Sequence, residues 1–188
     1  MDKAKNIWKS LNKRNLFVGI AAIAIIVILV MIIVNLILGS KKTLTCTLSN
    51  DDLSGFTIKD EIKITLKKNK VYSFDVSKSV ELEELYSRHE AYFTILENSL
   101  NNAFEYVGKD NYKLTKTDNK VNLKTTILEK GVIFNNLEIT LNNPESKYDL
   151  KFNTINNIES AEQVLLIGDE YKLKDLEKKV EGYGYTCE

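Results

Sequence analysis

The chain is short of the residues that punctuate loops and assemble reactive sites. Its 188 residues include one proline, eight glycines, two cysteines and one histidine. So few prolines and glycines, with no stretch rich in either, leave no flexible linker, and no repeat or low-complexity tail is visible. Two cysteines and one histidine fall short of a four-ligand zinc site, and without a Cys-x-x-Cys pair a thioredoxin-like role has no basis. There is no Gly-rich phosphate loop, no Gly-x-Ser-x-Gly and no His-Glu-x-x-His. His89, in Ser87-Arg88-His89-Glu90, has no nucleophile or fellow ligand beside it in sequence and reads as a packed side chain. The formal net charge is zero, so a general nucleic-acid surface is not indicated. No catalytic residue, metal or cofactor is assigned from the sequence.

Against these absences stands one long apolar run. Residues 16–38 read LFVGIAAIAIIVILVMIIVNLIL, without a single Asp, Glu, Lys, Arg or His. As a helix this run would be about 34 Å long, enough to cross a hydrocarbon core of about 30 Å. It is longer than the apolar part of a cleaved signal and lacks a small-residue exit site. The expectation is a transmembrane anchor over 16–38, with the lipid bilayer as partner. Asn35 is its only amide. Lys3, Lys5, Lys9, Lys13 and Arg14 precede it against Asp2, whereas the chain beyond Lys41 and Lys42 is mildly acidic. The positive-inside rule then makes 1–15 a cytoplasmic basic tail, with Trp8 at the headgroups, and 39–188 an extracytoplasmic domain of a single-pass cell-membrane protein.

Residues 39–188 suffice for one ordinary domain. Thr43–Leu48 alternates as a half-buried strand, and the loop containing Asp51 and Asp52 lacks calcium-loop spacing. Ile62, Ile64 and Leu66, then Tyr72, Phe74 and Val76, alternate about a turn at Lys68-Asn69-Lys70. The period then changes to that of a helix. Leu82, Leu85, Tyr86, His89, Phe93, Leu96, Leu100, Ala103, Phe104 and Val107 make one stripe, predicting a helix over 81–107 with Glu81, Glu83 and Glu84 at its start. Two further hairpins are expected, one turning at 117–120 and one at 142–146. Ser160 to Gln163 has capping-box spacing before Val164-Leu165-Leu166, which favours a helix, although so short an apolar run also suits a buried strand. Leu173, Leu176 and Val180 mark a last helix ending at Gly182, and Tyr183, Tyr185 and Cys187 alternate as a final strand. The expected fold class is α+β: an N-terminal single transmembrane helix, then one antiparallel-sheet domain of six or seven strands with helices packed on one face.

Cys46 and Cys187 fall in the first and last strands of that domain. In an oxidising compartment they are expected to form a disulfide bond joining its two ends. Asp169 and Glu170, like the glutamates at 81–84, read as helix-start residues. A binding patch of Tyr171, Tyr183 and Tyr185 is weighed against their packing on the sheet. Lysines 63, 67, 68 and 70 read as a wet strand face.

The order of elements resembles one family. The hairpins IKITLKKNKVYSFDV and YKLTKTDNKVNLKTTI, a helix between them, and the ending LKDLEKKVEGYGYTC are similar to the YehR-like small bacterial lipoproteins. The resemblance implies an extracytoplasmic α+β domain without an assigned activity. The chain departs from the family in having no lipobox cysteine. Type IV pilins also join an apolar N-terminal helix to a β-rich head, but their Gly-Phe processing motif with its glutamate is missing. The function expected is a membrane-anchored extracytoplasmic binding or assembly module that takes an envelope protein or polymer as partner, its ligand-binding residues unknown. Two alternatives are a cell-envelope carbohydrate hydrolase using paired carboxylates and an oligomeric pilin-like subunit.

Overall fold

The computed structural model describes residues 18–20, 22–33, 41–50, 55–88, 90–141 and 150–188. The chain divides into two compact units, Met1–Lys41 and Lys42–Glu188.

In the first unit, residues 18–20 and 22–33 are helical, and their apolar side chains are exposed. The expected membrane-spanning helix must be corrected: among the described residues no helix is long and apolar enough to cross a membrane. The described helical run 22–33 amounts to about 18 Å at 1.5 Å per residue, against roughly 30 Å of hydrocarbon. Residues 16, 17, 21 and 34–38, Asn35 included, lie outside the described residues, as does the basic tail with Trp8.

The second unit is mostly sheet, which also corrects the expected balance of strands and helices. Among the described residues it has ten strands: six in one main sheet, where a sheet of six or seven was expected, and four in two separate pairs. The main sheet has the order β10-β1-β2-β3-β5-β4. Its strands are β1 (Lys41–Asn50), β2 (Phe56–Lys67), β3 (Lys70–Leu82), β4 (Tyr112–Lys116), β5 (Lys120–Ile127) and β10 (Thr186–Cys187). Two small antiparallel pairs accompany it. β6 (Gly131–Ile133) pairs with β9 (Val164–Leu166), and β7 (Leu137–Leu141) pairs with β8 (Leu150–Thr154). Among the described residues three α-helices accompany the strands: α1 (Glu84–Ser87), α2 (Glu90–Ala103) and α3 (Leu173–Glu181).

The long β2–β3 hairpin sets the architecture. Lys68 and Asn69 both take positive φ, 53° and 62°, the conformation of a tight two-residue hairpin turn. Continued without interruption, that turn would place Ile62 opposite Asp75. Instead the register shifts by one between Thr65 and Leu66, with Tyr72 as the extra residue, so that Ile64 faces Phe74 and Ile62 faces Val76. The bulge therefore lets both strands present their apolar residues to one face. It also turns Tyr72 outward, opposite to the simple alternation read from sequence.

One face of the sheet carries the core. Phe56, Ile58, Ile62, Phe74, Val76, Val80 and Leu123 are buried there, while Lys59, Glu61, Lys63 and Lys124 on the other face are exposed. Helix α2 contributes Phe93, Leu96, Leu100 and Ala103 to that core and contacts β5, β7 and β8.

The helix predicted over 81–107 is shorter than its stripe. β3 runs on to Leu82 because Val80 and Leu82 pair with Ile58 and Phe56 across the hairpin. Sheet pairing thus overrides a local preference for helix. Beyond Ala103 the chain makes two 3-10 turns around Gly108. His89 lies outside the described residues, as do Asp51, Asp52 and the loop 142–149.

From Ser160 to Gly168 the strand alternative replaces the favoured helix: residues 164–166 form β9, packed so closely on β6 that a side chain at Gly131 would sit 2.2 Å from the Leu165 carbonyl oxygen. Only glycine fits there. The last helix, α3, buries Leu176 and Val180, and Gly182 N–H donates to the Lys178 carbonyl at its end.

Cys46 and Cys187 are bonded to each other. They sit directly opposite on β1 and β10, their Cα atoms 4.0 Å apart. Thr45 and Glu188 exchange the neighbouring backbone hydrogen bonds at 3.0 and 2.8 Å, which makes the cysteines the closer, non-hydrogen-bonded kind of cross-strand pair. The bridge closes a separation of 141 residues and pins a two-residue edge strand. Removing it, by reduction or as the Cys46→Ala/Cys187→Ala variant, should lower unfolding free energy by up to about 5 kcal/mol in the chain-entropy picture. Urea unfolding with and without reductant measures this, and coincident curves would refute it.

Candidate functional site

Two charged residues occupy inward positions in the middle of the hairpin. In β2, Asp60 stands between the buried Ile58 and Ile62, and in β3, Lys78 stands between the buried Val76 and Val80. The bulged register sets them directly opposite each other. Lys78 Nζ lies 2.8 Å from Asp60 Oδ2, and each side chain is only 3% exposed.

Removing two charges from water costs several kcal/mol per ion, so the pair persists only if its remaining polar atoms are matched. Lys78 Nζ donates a second hydrogen bond, 2.6 Å long, to Asn136 Oδ1. The other end of that amide, Asn136 Nδ2, donates to the Ala103 carbonyl at the end of α2 at 3.0 Å. Tyr185 OH donates to Asp60 Oδ2 at 2.8 Å. Burial above all, then the Asp60 charge and this hydrogen bond, push the Tyr185 phenol far up from its usual range. Asp60 Oδ1 is different. It is buried, and no donor reaches it among the described residues.

The chain segment that supplies Asn136 is itself anchored. Phe134 lies between two tyrosine rings, 5.0 Å from Tyr183 and edge-on to Tyr185 at 5.3 Å. Asn135, at φ 52°, donates from Nδ2 to Gln163 Oε1 at 2.7 Å and to the Tyr183 carbonyl at 2.9 Å. Behind it, Ile133 N–H donates to the Tyr106 hydroxyl at 3.4 Å, and burial pushes that phenol up to about 12.

Asp60 and Lys78 form part of the wall of a cavity of about 720 Å³. Leu48, Ile58, Phe134, Leu137, Ile155 and Ala161 supply apolar wall, and Asn135 and Gln163 supply amides. Glu138 and Glu162 line it from exposed positions. Its lining thus holds three carboxylates and one ammonium. The volume falls within the range of small-molecule sites, as does the mixture of apolar wall with a few placed polar groups.

Among the described residues no group of three or more His, Cys, Asp or Glu is placed to hold a metal. The buried carboxylate is paired with a lysine. Glu81 lies in β3 and Glu84 opens α1, both exposed, and Glu170 pairs with Lys70 at 2.9 Å on the surface. None of these three lines the cavity. The tyrosines weighed as a surface patch separate: Tyr185 is in the core, Tyr183 packs on Phe134, and Tyr171 receives a 2.8 Å hydrogen bond from Lys179.

Sequence reasoning missed Asp60 and Lys78. Their signal was present, because Ile58-x-Asp60-x-Ile62 and Val76-x-Lys78-x-Val80 each put a charge at a core-facing position of an alternating strand. No family model matches the chain, and no curated protein or solved structure matches it significantly.

Two outcomes follow from the ion pair. Lys78→Met strands the Asp60 charge and should lose about 3–5 kcal/mol, whereas Asp60→Asn/Lys78→Met strands none and should stay within about 2 kcal/mol of wild type. Equal losses in denaturant titrations would remove the ion pair from the account. Both Tyr106 and Tyr185 hold their protons more tightly in the folded chain than in the unfolded one, where tyrosine titrates near 10. Their contribution is complete below about pH 10 and falls as pH rises from there, through 12 for Tyr106. The Tyr185 share is about 1.4 kcal/mol per pH unit. Tyr185→Phe should flatten that alkaline decline in unfolding midpoints measured from pH 9 to 11.5. An unchanged decline would contradict the assignment.

Proposed function

We propose that the Lys42–Glu188 unit is a binding module that takes a small molecule into the cavity at Asp60 and Lys78, and that it works outside the cytoplasm. The carrying observation is a cavity of about 720 Å³ whose lining combines apolar side chains with a fixed, buried ion pair and the amides of Asn135 and Gln163. Apolar wall with a few placed polar groups is the usual form of a small-molecule site.

The compartment is supported by the disulfide bond, since such bonds persist where the environment is oxidising. The resemblance to YehR-like lipoproteins points the same way. Binding is favoured over hydrolysis because Asp60 Oδ2 is already engaged by Lys78 and Tyr185, which hold it as a fixed recognition group rather than as a free acid or base.

Ala161→Trp should obstruct the cavity from its wall while leaving Asp60 and Lys78 in place. Ligand-observed NMR of a small-molecule library against the full-length oxidised chain should yield compounds whose binding is lost in Ala161→Trp while its unfolding midpoint stays near wild type. If every binder is retained by the variant, the cavity is not the site.

A further inference from the structure

The first unit carries an apolar surface that the cavity does not explain. Residues 22–33, AIAIIVILVMII, are helical without a polar side chain among them. The large side chains from Ile23 to Ile33 are each between 46% and 64% exposed. A side chain added at Gly19 would meet nothing within 4 Å. The run 22–33 makes about three turns, so the exposure goes round the whole circumference of the helix and is not confined to one stripe.

That completeness decides what covers the helix. A groove on a partner protein, or a second copy packed alongside, buries one stripe of about 100° and leaves the remainder in water. A larger bundle of copies in water still exposes its outer faces. A helix apolar on every side belongs where apolar material surrounds it. We infer that residues 18–33 are buried among the acyl chains of an anionic lipid surface. Acyl chains are as apolar as leucine. The helical backbone pairs its own polar groups, so it asks nothing of the lipid. Burial of this kind does not require a crossing, for which the described helix is too short. The charge of the surface follows from the sequence before the helix. Residues 1–15 hold five basic side chains against one acid, and basic residues beside a lipid-buried segment are drawn to anionic headgroups.

The test moves the chain's one tryptophan onto the helix, as Trp8→Phe/Ile28→Trp. The full-length oxidised chain is mixed with vesicles of phosphatidylcholine containing about one quarter phosphatidylglycerol, which makes their surface negative. Lipids brominated on their acyl chains should quench the new tryptophan, and aqueous acrylamide should not. Ile26→Lys/Val30→Lys should reduce flotation with these vesicles at least about tenfold. The unfolding midpoint of the Lys42–Glu188 unit should stay unchanged in that variant. With phosphatidylcholine alone, flotation of the unsubstituted chain should fall at least about tenfold. Quenching by acrylamide but not by brominated lipid would overturn the inference, as would flotation that survives the two lysines. Shielding from both quenchers in a defined oligomer would overturn it in favour of a second copy. Equal flotation with both vesicles would overturn the anionic surface.

Discussion

The ion pair between Asp60 and Lys78 is the constraint around which the rest of the domain is arranged. A carboxylate and an ammonium, each 3% exposed, face each other inside an apolar sheet face. Such a pair is a poor source of net stability, because the Coulomb gain is set against desolvation of both ions. Its structural influence comes from the asymmetry of the alternatives. Separated, either charge would be stranded among Ile58, Ile62, Val76 and Val80. Every element that keeps the two together is therefore held in place by the large penalty of letting go.

Those elements come from the whole length of the domain. The bulge near Tyr72 puts Asp60 opposite Lys78; the uninterrupted hairpin would put it opposite Ser77. Asn136 ties Lys78 to the end of α2 through Ala103. Tyr185 reaches Asp60 from the far end of the chain, 125 residues away in sequence. The disulfide lies two residues beyond Tyr185 and holds that end against β1. It thus constrains the ends of the domain and also keeps a phenol in contact with a buried carboxylate. Networks of this kind polarise one another, so their members are not independent.

Much of the sheet was legible because one-sided burial imposes a period of two. The hairpin turning at 68–70 could be read from alternation, as could the pairing of 112–116 with 120–127, while the bond of Cys46 to Cys187 was read from two lone cysteines at the ends of the domain. What could not be read depended on partners distant in sequence. Val80 and Leu82 suit a helical stripe as well as a strand, and only their pairing with Ile58 and Phe56 decides for the strand. Val164 to Leu166 became a strand because Gly131 lets β6 approach without a side chain between them. The length of the apolar run at 16–38 suggested a span, yet the described helical residues in it stop short of a hydrocarbon core. The site was hidden for a simpler reason. A charge inside an alternating pattern looks like an interruption until the register shows a second, opposite charge across from it. The register itself depends on a one-residue bulge that no local preference announces.

The network is left with one imbalance. Lys78 Nζ is bonded to two partners, and Asp60 Oδ2 receives both Lys78 and Tyr185, yet Oδ1 of the same carboxylate has no donor among the described residues. Leaving a buried acceptor unmatched costs roughly 1–3 kcal/mol, and more when it is charged. A protein only marginally stable overall would reduce this cost if Asp60 served packing alone, because the pair could be replaced by apolar residues of similar size. The pair instead lines a cavity walled by apolar and polar side chains together, and Lys78, Tyr185 and Asn136 hold it in one arrangement. A group fixed in this way has its ordering cost met when the chain folds.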